Sequence, residues 1–405
     1  LIVRMEQQFS VRLPLRLVLE NPTVAAHAAA IAAADKTAVS KRTAIAAADR
    51  SKPVPLSFPQ EGLWIIDQLQ PGIASYNLPI LFTIAGKIDT DRLQKAIEQV
   101  VQRHEVLRTL FTRPNPLVAQ DVQEHVDIPF SIVELDNSAN DIETEFLAQL
   151  THLSCTPMDL TTGPLLHALF CEGDNNQSFL GLIVHHAIFD GWSISVFLEE
   201  TITSYRDLEK GGDGTLPSLF PQYADFAHWQ REQADTPALQ AQMAYWKKQL
   251  AGSLPVLDMP TDYPRSARQT SEGAIASAWV DEACTEAINQ IAKRYQKTLF
   301  SVLLSAWKVL LHRYSGQEEL LVGTVVAGRN HGDLEKLIGF FVNTVVLRST
   351  VSPEMTFAEL LEAVESVSIG AQENQDVPFE RVVAALQQRR DPSRSPLFQV
   401  AFVLR

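Results

Sequence analysis

The apolar run Phe179-Leu180-Gly181-Leu182-Ile183-Val184 leads into His185-His186-Ala187-Ile188-Phe189-Asp190-Gly191, and Trp192 to Leu208 follows. An uncharged run of this length bounded by turn residues reads as a buried strand. The segment after it has helical periodicity, with Ser193 near its start. The chain must therefore carry two adjacent histidines out of a sheet and straight into a helix. Gly191 is expected to allow a tight backbone path that a side chain would obstruct. In such a turn His186 and Asp190 point inward while Ala187, Ile188 and Phe189 pack. Further strands and helices alternate along the chain, which gives an α/β layered architecture.

Three readings of the histidine pair stand side by side. Histidines beside an apolar strand are commonly satisfied core residues. His and Asp are also zinc ligands, but no nearby Cys or third His has ligand spacing, and neighbouring residues on a strand point apart, so no metal is expected. The third reading is acyl transfer. Neutral imidazole, with an ordinary pKa near 6.5, accepts a proton from an attacking amine or hydroxyl at neutral pH.

Composition narrows the partners. With 405 residues the chain can build two or three lobes with real cores. A net charge of −14 argues against nucleic acid. Three cysteines without a CxxC spacing, Cys155, Cys171 and Cys284, fit a reducing cytoplasm. No run of about 18 apolar residues calls for a membrane span. The first residue is Leu rather than Met and both ends read as cut, so a fragment of a longer chain is expected.

The octapeptide Val184 to Gly191 resembles the HHxxxDG signature of condensation domains in nonribosomal peptide synthetases. That signature is related to the HxxxDG of CoA-dependent acyltransferases such as chloramphenicol acetyltransferase. Other stretches carry the same resemblance in the family's order. Leu56-Ser57-Phe58-Pro59-Gln60-Glu61-Gly62-Leu63-Trp64 is similar to its opening motif, and Arg103-His104-Glu105-Val106-Leu107-Arg108-Thr109-Leu110-Phe111 to RHExLRTxF. Pro157 to Leu166 follows PFDLxxGPLLR, with Met158 and His167 as departures, and Tyr223-Ala224-Asp225-Phe226-Ala227-His228-Trp229-Gln230 follows YxDYAxWQ, with Phe226 for Tyr. Leu337 to Thr344, Asp376 to Arg381 and Arg390 to Val400 resemble the floor loop and the last two motifs. In front, Phe9-Ser10-Val11-Arg12-Leu13-Pro14-Leu15-Arg16 and Pro22-Thr23-Val24-Ala25 resemble the end of a peptidyl carrier protein, whose phosphopantetheine-bearing Ser lies upstream and is absent. The plainer alternative for residues 1–33 is a helical extension.

The resemblance implies two chloramphenicol acetyltransferase-like lobes in a V, a pseudo-dimer with a tunnel between them, behind a short helical carrier remnant. The expected divisions are carrier remnant 1–33, linker 34–54, N-terminal lobe 55–215 and C-terminal lobe 216–405. The implied reaction joins an upstream carrier-bound acyl or peptidyl thioester to the amine of a downstream carrier-bound aminoacyl thioester. The domain itself then binds no cofactor, since its substrates arrive on 4'-phosphopantetheine arms. Its partners are the upstream and downstream carriers and an adenylation domain of the same synthetase. His186 is the candidate at the reacting amine. His185 fixes the strand end, Asp190 closes the turn, and Gly191 offers a backbone N–H towards the oxyanion. A buried Arg demands a carboxylate, so Arg103 or Arg108 is expected to pair with Asp190 and support the turn. Trp192, Ser193 and Asn343 are expected along the substrate tunnel, although Asn343 also fits a satisfied turn residue. The rival functions are an acyltransferase using diffusible CoA thioesters and a catalytically silent recruitment module.

Helices are expected over 90–101, over 223 to about 250, and over 285–297, 299–314 and 356–373. Strands are expected over 80–84, 166–171, 179–184, 275–280 and 320–326.

Overall fold

In the computed structural model the apolar run forms the strand Gln177–His185, buried at every position after Gln177. The model describes all residues except 10, 12, 22, 35–43, 116, 135–141, 174–175, 268–272, 387–390, 392 and 405. Ser10, Arg12 and Pro22 of the carrier-like pattern, residues 35–43 of the expected linker, and Arg390 and Pro392 of the last motif lie outside the described residues.

The chain divides into two compact units. One comprises Thr43–Gln233 and Asp333–Phe341, the other Leu1–Arg42, Ala234–Gly332 and Val342–Arg405. The division falls at 233/234, later than the 215/216 expected. The reason is local. Tyr223, Ala224, Phe226 and Ala227 are buried, and Tyr223, Phe226 and Ala227 sit in the core of the first unit. The expected long helix over 223–250 is two helices, Tyr223–Gln233 and Pro237–Gln249. Proline lacks the N–H that would continue the first helix and suits the first turn of a new one, which Thr236 caps by accepting from Leu239 N.

In the first unit Gln177–His185 is the second strand of a four-stranded sheet. It pairs antiparallel with Asn77–Ala85 on one side and with Leu166–Glu172 on the other, while Phe130–Ile132 joins the far edge in parallel. The register sets Asn77 opposite His185. The helix Ile142–Ser154 lies so close over one face that a Cβ at Gly181 would stand 2.8 Å from Leu150 Cδ1. Phe58–Leu69 is the helix expected around Trp64, opened by a reciprocal cap between Ser57 and Gln60. Thr90–Arg103 is capped by Asp89, whose carboxylate accepts from Arg92 N.

In the second unit Glu319–Val326 pairs antiparallel with Asn343–Thr350, and Ala401 bridges in parallel to Gly323. The helices Glu282–Tyr295, Leu299–Ser315 and Phe357–Glu373 fall close to their expected bounds. Residues 275–280 do not form the expected strand. Ile275 is 95% and Trp279 99% exposed, and no ladder among the described residues pairs with them. Apolar alternation marks a strand, yet a strand exists only where a partner takes its N–H and C=O groups. At the N-terminus the helices Ile2–Phe9, Leu15–Glu20 and Val24–Ala33 enclose a small cluster of Met5, Val11, Leu13 and Val18. No described helix is long and apolar enough to cross a membrane.

Candidate active site

The turn after the buried strand is a short 3-10 segment, His186–Ile188, followed by the helix Gly191–Glu209. The two imidazoles find opposite surroundings within it. His185 is 4% exposed, and its Nδ1 accepts from Ala187 N at 3.1 Å. Burial, followed by the charge of its neighbour His186, lowers its pKa to about 4, so the ring is neutral at pH 7. Its backbone N–H donates to Leu165 O at 2.9 Å.

His186 is half-buried, and its backbone N–H donates to Tyr76 O at 2.8 Å. Its Nδ1 lies 2.7 Å from Phe189 O. A carbonyl only accepts, so Nδ1 carries the proton, and the neutral ring keeps a lone pair on Nε2. The ring of Phe340 lies against the imidazole, centroids 4.6 Å apart and planes tilted by 54°. This arrangement can hold or take a proton at one defined nitrogen.

Asp190 is fully buried and caps the helix that begins at Gly191. One carboxylate oxygen accepts from Ser193 N at 2.9 Å and from Ser193 Oγ at 2.7 Å, and the other accepts from Phe341 N at 3.1 Å. The expected pairing of Asp190 with Arg103 or Arg108 is corrected. Arg103 pairs with Glu200 and donates to Pro217 O, while Arg108 donates to Gln123 O. Desolvation lowers the Arg108 pKa. Glu200 also takes His104 Nε2 at 2.8 Å, and His104 Nδ1 accepts from Ile338 N at 3.4 Å. The sequence reading missed Glu200. Its signal was an acid within the buried stripe Val196, Phe197, Glu200, Thr201, Ser204, where a buried charge needs a partner.

Gly191 does not sit in a crowded path. A Cβ there would meet no heavy atom within 4 Å, and its φ lies outside the left-handed region. The expectation of a tight turn is therefore corrected: the missing side chain leaves open space at the helix start. Ser193 is fully buried between Asp190 and Gly339, with its hydroxyl 3.1 Å from Gly339 N and 3.2 Å from Gly339 O, so it lines no passage. Asn343, in the other unit, is likewise satisfied, at the start of its strand rather than in a turn. Its Nδ2 donates to Gln375 O and Val377 O, and its Oδ1 accepts from Thr344 N and Phe379 N. Trp192 is 45% exposed and donates Nε1 to Glu335 O at 2.9 Å.

The segment Asp333–Phe341 is thus tied to the turn from several sides. Gly339 explains why it approaches so closely, since a Cβ there would stand 2.1 Å from Tyr223 Cδ2. Gln60, buried at the start of its helix, completes the frame by donating Nε2 to Ala187 O at 3.0 Å.

Comparison with known proteins follows the same lines. A linear gramicidin synthase of Brevibacillus parabrevis is 39% identical over 406 residues, covering 100% of this chain and 8% of that protein. Phosphinothricin tripeptide synthetase PhsC of Streptomyces viridochromogenes is 37% identical over 357 residues, covering 88% of this chain and 33% of that protein. The chain therefore spans less than a tenth of the linear gramicidin synthases it matches. Among solved structures, the X-domain from teicoplanin biosynthesis superposes with a TM-score of 0.78 at 24% identity, covering 89% of this chain and 79% of that one. The condensation domain from the monacolin K polyketide synthase MokA gives 0.76 at 25% identity, covering 86% and 81%. These likenesses carry the α/β fold, and residues 50–405 match the family model described as Condensation domain, so the chain belongs to the condensation-domain family.

Proposed function

We propose that this chain forms amide bonds as a condensation domain of a nonribosomal peptide synthetase. The amine of a downstream aminoacyl thioester attacks the carbonyl carbon of an upstream acyl or peptidyl thioester. The C–N bond forms, the C–S bond breaks, the upstream carrier's thiol leaves, and the amine's proton ends on that sulfur. Both substrates arrive on 4'-phosphopantetheine arms of carrier domains, so the chemistry needs no cofactor held by this chain. Tethering raises their effective concentration at one site. An adenylation domain in the same synthetase loads the arms, and the whole assembly works in the cytoplasm. Residues 1–33 are the end of the upstream carrier. Their own small apolar cluster and the Leu13-Pro14-Leu15-Arg16 pattern support that reading.

His186 meets the reacting amine. The observation that carries this assignment is the bond from its Nδ1 to Phe189 O, which leaves Nε2 as the acceptor. Asp190 holds the turn through the helix cap, and His185 fixes the strand end as a neutral ring. The backbone N–H of Gly191, at the start of the helix, is the donor to the developing oxyanion. Arg103 supports the site at one remove through Glu200, and Arg108 anchors the strand start beside it.

The test is the rate of carrier-bound amide formation in a complete module. His186→Ala is expected to fold and to lose about 100-fold or more of that rate. Product at the wild-type rate removes His186 from the chemistry. Equal product from a diffusible CoA thioester would identify a CoA-dependent acyltransferase, and none from any donor a silent recruitment module.

A further inference from the structure

Tyr223 opens the YxDYAxWQ-like stretch that the sequence reads as packing. Its ring does pack. It is 1% exposed, edge-on to Phe341 with centroids 4.8 Å apart, and 5.5 Å from Phe226. Packing alone needs only a phenylalanine, and the hydroxyl stands in a buried hydrogen-bond chain. Tyr223 Oη donates to Phe340 O at 2.6 Å and lies 2.8 Å from Ser57 Oγ. The tyrosine proton is used on the carbonyl, so the Ser57 hydroxyl donates to Tyr223. Ser57 Oγ accepts from Gln60 N at 3.3 Å, and Gln60 Nε2 donates to Ala187 O at 3.0 Å.

The chain closes on itself around one side chain. One end holds Ala187, the residue after His186. The other holds Phe340, whose ring lies against the His186 imidazole. The residue after His186 and the ring against its imidazole are thus tied by one continuous set of buried and part-buried bonds, in which Tyr223 is the link to Phe340.

We propose that the Tyr223 hydroxyl is a positioning residue for amide formation, fixing the Phe340 backbone so that its ring sets the direction of His186 Nε2. This rests on the assignment of His186 to the reacting amine. Tyr223→Phe keeps the ring and its packing but leaves Phe340 O and Ser57 Oγ without their link. Phe340 then shifts, and the imidazole gains freedom. A displacement of about 1 Å at a reacting group costs on the order of 100-fold in rate. The effect belongs in kcat, because nothing that binds a carrier has been removed.

The test uses the full chain in its module, with Tyr223→Phe, Phe340→Ala and the double variant. Two readouts separate the geometry from the reaction. The first is the Cε1–H resonance of His186 in histidine-labelled protein, assigned with His186→Asn, which carries the ring-current displacement of Phe340. The second is kcat and KM for the carrier-bound acceptor. Tyr223→Phe is expected to move the resonance towards its position in Phe340→Ala. It should lower kcat by about 10- to 100-fold with KM within about twofold. The double variant should be no slower than Phe340→Ala alone, since both changes act through one ring. A resonance that stays put in Tyr223→Phe, or rate losses that multiply, overturns the proposal. A wild-type module that makes no amide while the resonance moves as expected sinks the reading of the reaction and leaves the coupling of Tyr223 to His186 standing. If Tyr223→Phe loses its fold by circular dichroism, Ser57→Ala removes the donor that holds the Tyr223 hydroxyl on Phe340 O and is expected to shift the resonance the same way, by less. No shift there overturns the proposal.

Discussion

His185 and His186 are neighbours in the chain and opposites in their partners. His185 accepts a backbone N–H, lies in the core and is held neutral, while His186 gives its Nδ1 proton to a carbonyl and keeps Nε2. Both histidines were legible in the sequence, and so were their different surroundings, because adjacent strand-end residues point apart. The hydrogen bonds that choose the tautomer were not legible, since Phe189 O reaches Nδ1 only through the 3-10 turn. Gly191 carries a prediction at this scale. Its missing Cβ relieves no contact within the protein. Gly191→Ala should therefore leave the thermal midpoint unchanged or raise it, since Ala is favoured over Gly in a helix by about 1 kcal/mol. It should nonetheless slow amide formation if reacting groups fill the open space. A wild-type rate in Gly191→Ala would show that this space is not used.

At the scale of elements, the helix Gly191–Glu209 does two jobs at once. Its first turn is capped by Asp190, and two to three turns later Glu200 receives Arg103 and His104. The sequence shows the helix plainly but assigns the arginine to the wrong acid. Asp190 sits in the recognisable motif, whereas Glu200 sits in a helix stripe that matches none and faces Arg103 only once the helix packs. Glu200→Ala leaves the buried His104 without its acceptor and takes from the part-buried Arg103 its carboxylate partner. Urea unfolding should show a loss of about 3 kcal/mol or more, the usual cost of breaking a buried pair by removing one partner. Glu200→Gln should lose less, because it keeps one acceptor. Equal stability of Glu200→Ala and wild type would mean that the pair is solvated in practice. The helix break at Pro237 follows the same lesson. Apolar residues recur at helical spacing on both sides of 230–236, but that stretch is polar apart from Ala234 and ends on Pro237, where a second helix opens.

At the scale of the molecule, each unit has its own core, and each core buries a charge-bearing group. In the second unit Lys308 is fully buried on the helix Leu299–Ser315. Its Nζ donates to Leu347 O at 2.8 Å and to Ser349 Oγ at 2.7 Å, and burial lowers its pKa to about 7. The unfolded chain binds that proton up to about pH 10.5, so between pH 7 and 10.5 it holds more protons than the folded chain. Stability therefore rises with pH across this window, and the penalty is complete below it, at most roughly 4–5 kcal/mol. Urea midpoints measured from pH 7 to 9 should climb in the wild type and climb less in Lys308→Met. Parallel curves would show that Lys308 keeps its charge inside the fold.

The sequence alone determined the strands around 80–84, 166–171, 179–184 and 320–326, most of the long helices, the place of the histidine turn and the family to which it belongs, because those follow from local periodicity and from residues that lie together in the chain. Only the tertiary structure decided the partners. Glu200 for Arg103, Phe341 N for Asp190, Phe340 for the ring of His186, and the loss of the strand over 275–280 all depend on groups far apart in sequence. A hydrogen bond or a ladder is satisfied by whatever donor the fold brings within about 3 Å, and no pattern in a single segment records what that will be.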